Sequence, residues 1–332
     1  MAMVSAVLGA GSWGTALAMQ LARAGHAVHL WTRDAAQAES LRTERENRRY
    51  LPGRPLPTGV DPTSDLERAL HASTGLVVIA VPSHAVFETC TAARPYLAEA
   101  TTLVSAAKGI EEVTLRRMSE VIRAATTGVA PVAVISGPSF AAEVAAELPT
   151  VVTAACADPA VAEKVQLGFS SPMFRVYTSD DVIGVEIGGS VKNVIAIATG
   201  VADGLGLGHN ARAAIMTRGL AEIARLAERL GGNPRTLAGL SGIGDLMLTC
   251  TGDLSRNRRV GLRLGRGEPL AEILGNMDQV AEGVRNTLAI HDLAQSLEVE
   301  MPITAEMKAL LFEGKSPREA LVGLMGRRLR RE

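Results

Sequence analysis

Aromatic residues are scarce. Two Trp, three Tyr and five Phe make up 3% of the 332 residues. Single-stranded nucleic acid binders need such rings as stacking platforms, so that class is disfavoured. Net charge is also missing: 34 Lys and Arg face 35 Asp and Glu, for a formal charge of −1. No global basic field for nucleic acid exists, although a local basic pocket for a small anion is compatible with the balance. The three cysteines, Cys90, Cys156 and Cys250, are odd in number, far apart and in no Cys-x-x-Cys pair. They argue against a disulfide framework or a zinc site and for a reducing compartment, and no metal is expected. Apolar runs such as Leu76–Val81 fall far short of the ~20 residues that span a bilayer, so no integral membrane segment is expected. The apolar N-terminus lacks a basic leader and moves straight into a glycine-rich turn, so no signal peptide is expected. A cytoplasmic protein is the expectation.

What is present is aliphatic: 47% of residues are apolar and 21% charged, which excludes a disordered chain. At roughly 150 residues per domain the length suggests two domains. No period of 20–50 residues stands out against a repeat architecture. Strands are predicted at Val4–Leu8, Ala27–Trp31, Leu76–Val81, Thr101–Ser105, Val132–Ser136, Val151–Ala154 and Phe174–Tyr177. Helical patterns lie between them at Trp13–Ala24, Asp34–Asn47, Pro62–Ala72, Ala85–Tyr96 and Leu115–Ala124. Apolar strands alternating with helices indicate an α/β, doubly wound, mainly parallel sheet covered on both faces. Beyond about Thr178 only helical periodicity remains, at Val182–Gly200, Ala211–Leu230, Ser255–Leu264, Gly283–Ser296, Thr304–Glu313 and Pro317–Arg328. The last opens with a capping serine, a proline and a carboxylate three residues on. The expected division is an N-terminal domain over residues 1–180 and an all-helical C-terminal domain over residues 181–332.

Gly9-Ala10-Gly11-Ser12-Trp13-Gly14 follows the first strand and opens the first helix. Gly9 permits the tight turn, Gly11 leaves room for a pyrophosphate, and Gly14 lets helix and strand pack closely. The free amides and positive dipole end of the helix face the same point. A lone G-x-G-x-x-G is weak evidence, but strand, helix and second strand are all in place, so a Rossmann-like dinucleotide-binding domain is expected. At the end of the second strand Arg33 and Asp34 give competing signals: an acid there meets a ribose hydroxyl, an arginine a 2′-phosphate. If Asp34 caps the following helix, Arg33 is left for the phosphate. The expected cofactor is NADP(H), with NAD(H) as the alternative.

The densest segment is residues 184–196, GVEIGGSVKNVIA. Glu186 and Lys192 are the only charges between Val182 and Val201; six apart, they lie about 120° around a helix and do not pair. A lysine there must find a partner, snorkel along its stem, or have its pKa lowered; in the last case it can move a proton near neutral pH. Gly242-Ile243-Gly244-Asp245 is followed by Asp253-Leu254-Ser255-Arg256-Asn257-Arg258-Arg259. Ser255 suits an N-cap, so Arg256 and Asn257 occupy a first helical turn where side chains and amides can converge on a phosphate; a solvated basic patch is the alternative. Val81-Pro82-Ser83, Ala107-Lys108-Gly109 and Ser136-Gly137-Pro138-Ser139 each follow a predicted strand, where open α/β sheets bind ligands.

The sequence closely resembles the bacterial-type NAD(P)-dependent glycerol-3-phosphate dehydrogenases. The matching blocks include GAGSWGTALA (9–18), the Asn47/Tyr50-Leu51-Pro52 region, KGIE (108–111) and ISGPSFAAEVA (135–145). GVEIGGSVKNVIAIATGVADGLGLGHNARAAIMTRGLAE (184–222), GLSGIGDLMLTCTGDLSRNRRVG (239–261), VAEGVRN (280–286) and EGKSPREA (313–320) follow in the same order. The resemblance runs from residue 3 to about 325. It implies hydride transfer between NAD(P)(H) and glycerol 3-phosphate or dihydroxyacetone phosphate, supplying glycerol 3-phosphate for glycerophospholipids. It implies that Ser12, Trp13, Ala141, Val280 and Glu282 contact the dinucleotide, with Arg33 near its adenine-side phosphate. Lys108 would lie between cofactor and substrate. Gly137, Ser139, Asn193, Asp245, Ser255, Arg256 and Asn257 would contact substrate, with Arg256 also near the nicotinamide. Lys192 would be the proton donor and acceptor. The substrate is a small molecule, no nucleic acid partner is expected, and a homodimer is. A related β-hydroxyacid-type dehydrogenase or a dinucleotide-sensing module are the rivals; the Ser-Arg-Asn turn argues against the first and Lys192 against the second.

Overall fold

The computed structural model describes residues 3–71, 73, 75–98, 101–277 and 281–328. The chain divides into two units, one of residues 1–108 and 116–186, the other of residues 109–115 and 187–332.

The first unit is built on an eight-stranded sheet. Its strands are β1 (Val4–Leu8), β2 (Ala27–Trp31), β5 (Val60–Thr63), β6 (Leu76–Ile79), β7 (Thr102–Ser105), β8 (Val132–Ser136), β9 (Thr150–Ala155) and β10 (Phe174–Ser179). A separate small pair, β3 (Glu46–Asn47) and β4 (Leu51–Pro55), is antiparallel. The large sheet runs in the order β10-β9-β8-β7-β6-β1-β2-β5. Neighbours are parallel throughout except β8 and β9. Side chains alternate between two cores, as period two demands. Val7, Leu30, Val78, Val104 and Ile135 join one core with helices α1 (Ser12–Arg23), α2 (Ala35–Glu44), α6 (Ala141–Ala145) and α7 (Pro159–Phe169). Leu8, Ile79, Leu103 and Val132 join the other with α3 (Leu66–His71), α4 (Val86–Ala93) and α5 (Met118–Thr126). The sheet is therefore apolar on both faces, and the doubly wound reading holds.

Several expected helix ends shift. The helix predicted from Leu115 begins at Met118, with Leu115 itself at φ 56°. Residues 62–65 are not helical: Pro62 and Thr63 belong to β5 at the sheet edge, where a proline is tolerated, and the Asp65 carboxylate accepts from the Arg68 N–H at the helix start. The helix predicted to reach Asn47 stops at Glu44, followed by Arg45 at φ 54° and the β3–β4 pair.

The second unit is helical: α8 (Val182–Gly204, shared at its start with the first unit), α9 (Gly208–Arg229), α10 (Asp245–Thr251), α11 (Arg256–Gly265), α12 (Leu270–Gly275), α13 (Glu282–Ser296), α14 (Pro302–Phe312) and α15 (Pro317–Met325). Among the described residues α8 alone is long and apolar enough to cross a membrane, and 94% of its most apolar window is buried. It is a core helix, closely crossed by α11. A Cβ on Gly200 or Gly204 would lie 2.1 Å or 2.4 Å from the carbonyl oxygens of Arg258 and Leu262. A Cβ on Gly261 or Gly265 would lie 2.0 Å or 2.4 Å from those of Ile197 and Val201. The two backbones touch through four glycines.

Candidate functional site

In the first unit the site starts where strand order reverses, between β1 and β6, the place where open sheets take ligands. Gly9 has φ +115°, and a Cβ there would sit 2.9 Å from the Ala80 backbone at the end of β6. A Cβ on Gly14 would lie 1.8 Å from the Gly9 carbonyl oxygen, whereas one on Gly11 would meet nothing within 4 Å. So Gly9 and Gly14 are required by packing, and Gly11 faces open space. Gly11 also caps α1 without any side chain, which leaves the first amides of that helix to an external acceptor. The Trp13 indole N–H is buried with no hydrogen-bond partner among the described residues. A dinucleotide fits this loop.

The loop is held from behind. The Ala10 carbonyl accepts from Gln37 (2.8 Å) and from buried Asn47 (3.0 Å), whose amide also donates to the Thr15 hydroxyl at 2.7 Å. Ser12 donates to the Tyr50 carbonyl at 2.7 Å. At the end of β2, the Asp34 carboxylate accepts from the N–H groups of Ala36 (2.9 Å) and Gln37 (3.3 Å), capping α2. Arg33 beside it is exposed. Lys108 lies three residues beyond β7; Gly137 follows β8 directly and Ser139 lies three residues beyond it. Gly137 has φ +149°, and a Cβ there would lie 2.9 Å from Val152 Cα, so β9 itself demands this glycine. Ala141 opens α6, whose last carbonyls accept from Arg23 at 3.1 and 2.9 Å.

In the second unit Lys192 is buried at 6% exposure and has found a partner. Its Nζ donates to Asp245 Oδ1 at 2.5 Å and to Thr249 Oγ1 at 2.7 Å. Both acceptors sit on α10 one turn apart, and Thr249 donates back to the Asp245 carbonyl at 2.6 Å. Thr249 was not among the expected site residues; its i, i+4 spacing from Asp245 is the signal that would have found it. Gly188 lets this arrangement form, since a Cβ there would lie 2.4 Å from the Ser241 carbonyl oxygen. A second charge on α8, Glu186, is buried in the first unit with Arg117 (2.6 Å) and the Ser119 N–H and hydroxyl (both 2.7 Å). Burial pushes its pKa up, against the pull of Arg117 and Ser119.

Ser255 caps α11 through the Arg258 N–H at 3.2 Å. Arg256 follows at the first helical position, its pKa lowered by burial against the opposing charge of Glu282. Asn257 Oδ1 accepts from the Gly283 N–H at 3.0 Å, so the start of α13, which Glu282 opens, is tied to the start of α11. A Cβ on Gly283 would lie 2.7 Å from that oxygen and 2.9 Å from the Asn193 carbonyl oxygen. Val280 lies outside the described residues. Among the described residues no three His, Cys, Asp or Glu side chains are grouped to hold a metal ion. The first unit thus gathers the glycine loop and Arg33 at the β1–β2 side and Lys108, Gly137 and Ser139 after β7 and β8. The second gathers Lys192, Asn193, Asp245, Ser255, Arg256, Asn257 and Glu282 around α8, α10, α11 and α13.

Residues 5–162 match the NAD-dependent glycerol-3-phosphate dehydrogenase N-terminus and residues 181–322 the corresponding C-terminus. A glycerol-3-phosphate dehydrogenase [NAD(P)+] of Moorella thermoacetica is 53% identical over 97% of this chain and 95% of its own length. One from a Geobacter species is 50% identical over 98% of each. The crystal structure of the glycerol-3-phosphate dehydrogenase of Coxiella burnetii superimposes with a TM-score of 0.94 at 44% identity, covering 98% of this chain and 99% of that one. The chain belongs to the NAD-dependent glycerol-3-phosphate dehydrogenase family.

Proposed function

We propose that the chain interconverts sn-glycerol 3-phosphate and dihydroxyacetone phosphate with NADP(H) or NAD(H), as a cytoplasmic homodimer that supplies glycerol 3-phosphate for glycerophospholipid synthesis. In this reading residues 1–180 form the dinucleotide-binding domain and residues 181–332 the substrate-binding and catalytic domain. The observation that carries it is the buried Lys192 ammonium, fixed by Asp245 and Thr249 in the same helical unit as the Ser255-Arg256-Asn257 turn.

When bound, the nicotinamide supplies the hydride; Gly9, Gly11, Gly14, Ser12, Trp13 and Ala141 would hold the dinucleotide, with Val280 and Glu282 as further contacts and Arg33 at a 2′-phosphate. In reduction, charge builds on the C2 carbonyl oxygen. Lys192 Nζ stabilises that charge and delivers a proton to it, while Asp245 and Thr249 keep the donor aimed. Lys108, Gly137, Ser139 and Asn193 are the remaining substrate contacts. The phosphate meets α11. Ser255 Oγ already accepts the Arg258 N–H, so its hydroxyl hydrogen serves the phosphate. Asn257 Oδ1 is engaged by Gly283, so its amide N–H groups serve as the donors. Arg256 supplies the charge-assisted bond.

The test is an absorbance assay of NADPH and NADH oxidation with dihydroxyacetone phosphate, with phosphate-free dihydroxyacetone as control. Turnover only of the phosphorylated ketone is expected; equal turnover of both, or of neither, overturns the reading. Arg256→Ala should cost about 2–4 kcal/mol in kcat/KM for dihydroxyacetone phosphate, raising KM and lowering kcat because phosphate binding positions the reacting carbon.

A further inference from the structure

The phosphate-side turn is held by a second charge network whose side chains are not among the groups assigned to the substrate. Asp203, near the end of α8, uses both carboxylate oxygens. Oδ1 accepts from Arg212 Nε (2.9 Å) and Nη2 (2.6 Å), and Oδ2 accepts from Arg258 Nε (3.0 Å) and lies 2.8 Å from Arg258 Nη2. Arg258 Nη1 donates to Asp253 Oδ1 at 2.9 Å, in the turn that leads into α11. The Arg258 main-chain N–H is the one that Ser255 Oγ accepts. Asp203 and Arg258 are nearly buried, with side-chain exposures of 8% and 12%.

The charges decide what this network does. Arg258 faces two carboxylates, so its charge is cancelled and adds little attraction for an anion. It lies two residues after Arg256, about 160° around the helix, so the two guanidiniums point apart. Arg256 supplies the charge, and Arg258 holds the frame. Packing alone gives no reason for a buried carboxylate between two guanidiniums, because apolar groups of similar volume would serve the fold as well. Gly200, Gly261 and Gly265 hold the α11 backbone against α8, and Asn257 ties its first turn to α13; neither contact orients the 253–255 segment that leads into it. Asp203 reaches that turn through Arg258.

We propose that Asp203 is a positioning residue for phosphate recognition, holding Arg258 and the 253–255 turn so that Ser255, Arg256 and Asn257 converge on the substrate phosphate. The inference rests on the assignment of that turn to the phosphate. It is tested with Asp203→Asn in the full-length enzyme, which keeps the volume and removes the charge. Loss of a charged hydrogen-bond network should raise KM for dihydroxyacetone phosphate ~10- to 100-fold, with kcat falling in the smaller proportion, as for Arg256→Ala, and KM for NADPH unaltered. In an Arg256→Ala background the same substitution should add little, since Asp203 acts through the turn that carries Arg256. Arg258→Lys, which keeps the charge and loses the fork, should raise KM in the same way. A fall in kcat at constant KM, equal rises in both KM values, full additivity with Arg256→Ala, or failure of both variants to fold would each make Asp203 a structural residue only. If Arg256→Ala itself leaves KM unchanged, the phosphate assignment fails first, independently of Asp203.

Discussion

At the residue scale, the sequence shows that Lys192 has no ion-pair partner one turn away on its helix but not how it is accommodated. Its partner Asp245 lies 53 residues downstream, and no spacing rule reaches that far. The pairing changes what substitution does. Removing the lysine leaves a carboxylate in the interior without its ammonium, a loss of about 3–5 kcal/mol. Lys192→Met is therefore expected to lower catalysis by ~10²–10⁴-fold and to lower the melting temperature. Adding Asp245→Asn should restore much of the melting temperature and none of the turnover. Melting and turnover of the single and double variants check this; recovery of turnover in the double variant would remove Lys192 from the chemistry. At the other end, Asp34 is committed to capping α2 and Arg33 is exposed beside it. Arg33→Ala should weaken NADPH binding by about the 1.5–3 kcal/mol of a charged hydrogen bond and leave NADH binding nearly unchanged. Equal weakening of both, measured by titration, would assign Arg33 to the fold.

At the element scale, the strands were legible because their burial on both faces leaves continuous apolar runs, and β1, β2 and β8 match their predicted bounds. What escaped has physical reasons. β5 is a short edge strand containing Pro62, so it carries neither the length nor the composition of a central strand. α7 carries an Asp158 cap with Pro159 at its first position, a start signal present in the sequence but not taken up. Most instructive are the glycines of α8 and α11, which look like helix weaknesses on paper and are the contact itself. Gly261→Ala places a methyl 2.0 Å from the Ile197 carbonyl oxygen. Backbone cannot yield as a side chain does, so the cost should exceed the ~1–3 kcal/mol usual for overpacking. Gly275, at the end of α12, offers the contrast: a Cβ there meets nothing within 4 Å. Gly275→Ala should be neutral or stabilise by roughly 0.4–1 kcal/mol. Denaturant melts of the two variants give opposite signs if the glycine contact is real, and equal effects if it is not.

At the scale of the whole molecule, alternation of strands and helices followed by helices alone was enough to state two domains. It was not enough to show that residues 109–115 join the helical unit, because that depends on contacts such as the Gly109 N–H to the Ser190 hydroxyl at 3.0 Å. Nor could it show how the helical unit closes on itself. Glu222 of α9 supplies the missing cap of α14, accepting from the N–H groups of Ile303 (2.6 Å) and Thr304 (3.2 Å) and from the Thr304 hydroxyl (3.1 Å). Met301, the residue at the cap position, makes no side-chain cap of its own. This carboxyl is buried, and burial raises its pKa from 4.5 to about 7 despite those donors. The sign follows from proton linkage. Between pH 4.5 and about 7 the folded chain holds a proton at Glu222 that the unfolded chain has released, so folding weakens as pH rises through that window. The contribution is fully present below pH 4.5 and, at 1.36 kcal/mol per pKa unit, about 3 kcal/mol is lost by pH 7 and above. Glu222→Gln cannot ionise, so denaturant melts taken from pH 4.5 to 7.5 should show a flatter dependence by about that amount. The variant should be the less stable protein at pH 4.5, where the wild-type carboxyl already carries its proton, with the gap narrowing or reversing toward pH 7.5. Parallel curves for wild type and Glu222→Gln would show that the cap is ionised in the folded chain throughout, and that the interior of the helical unit is better solvated than its packing implies.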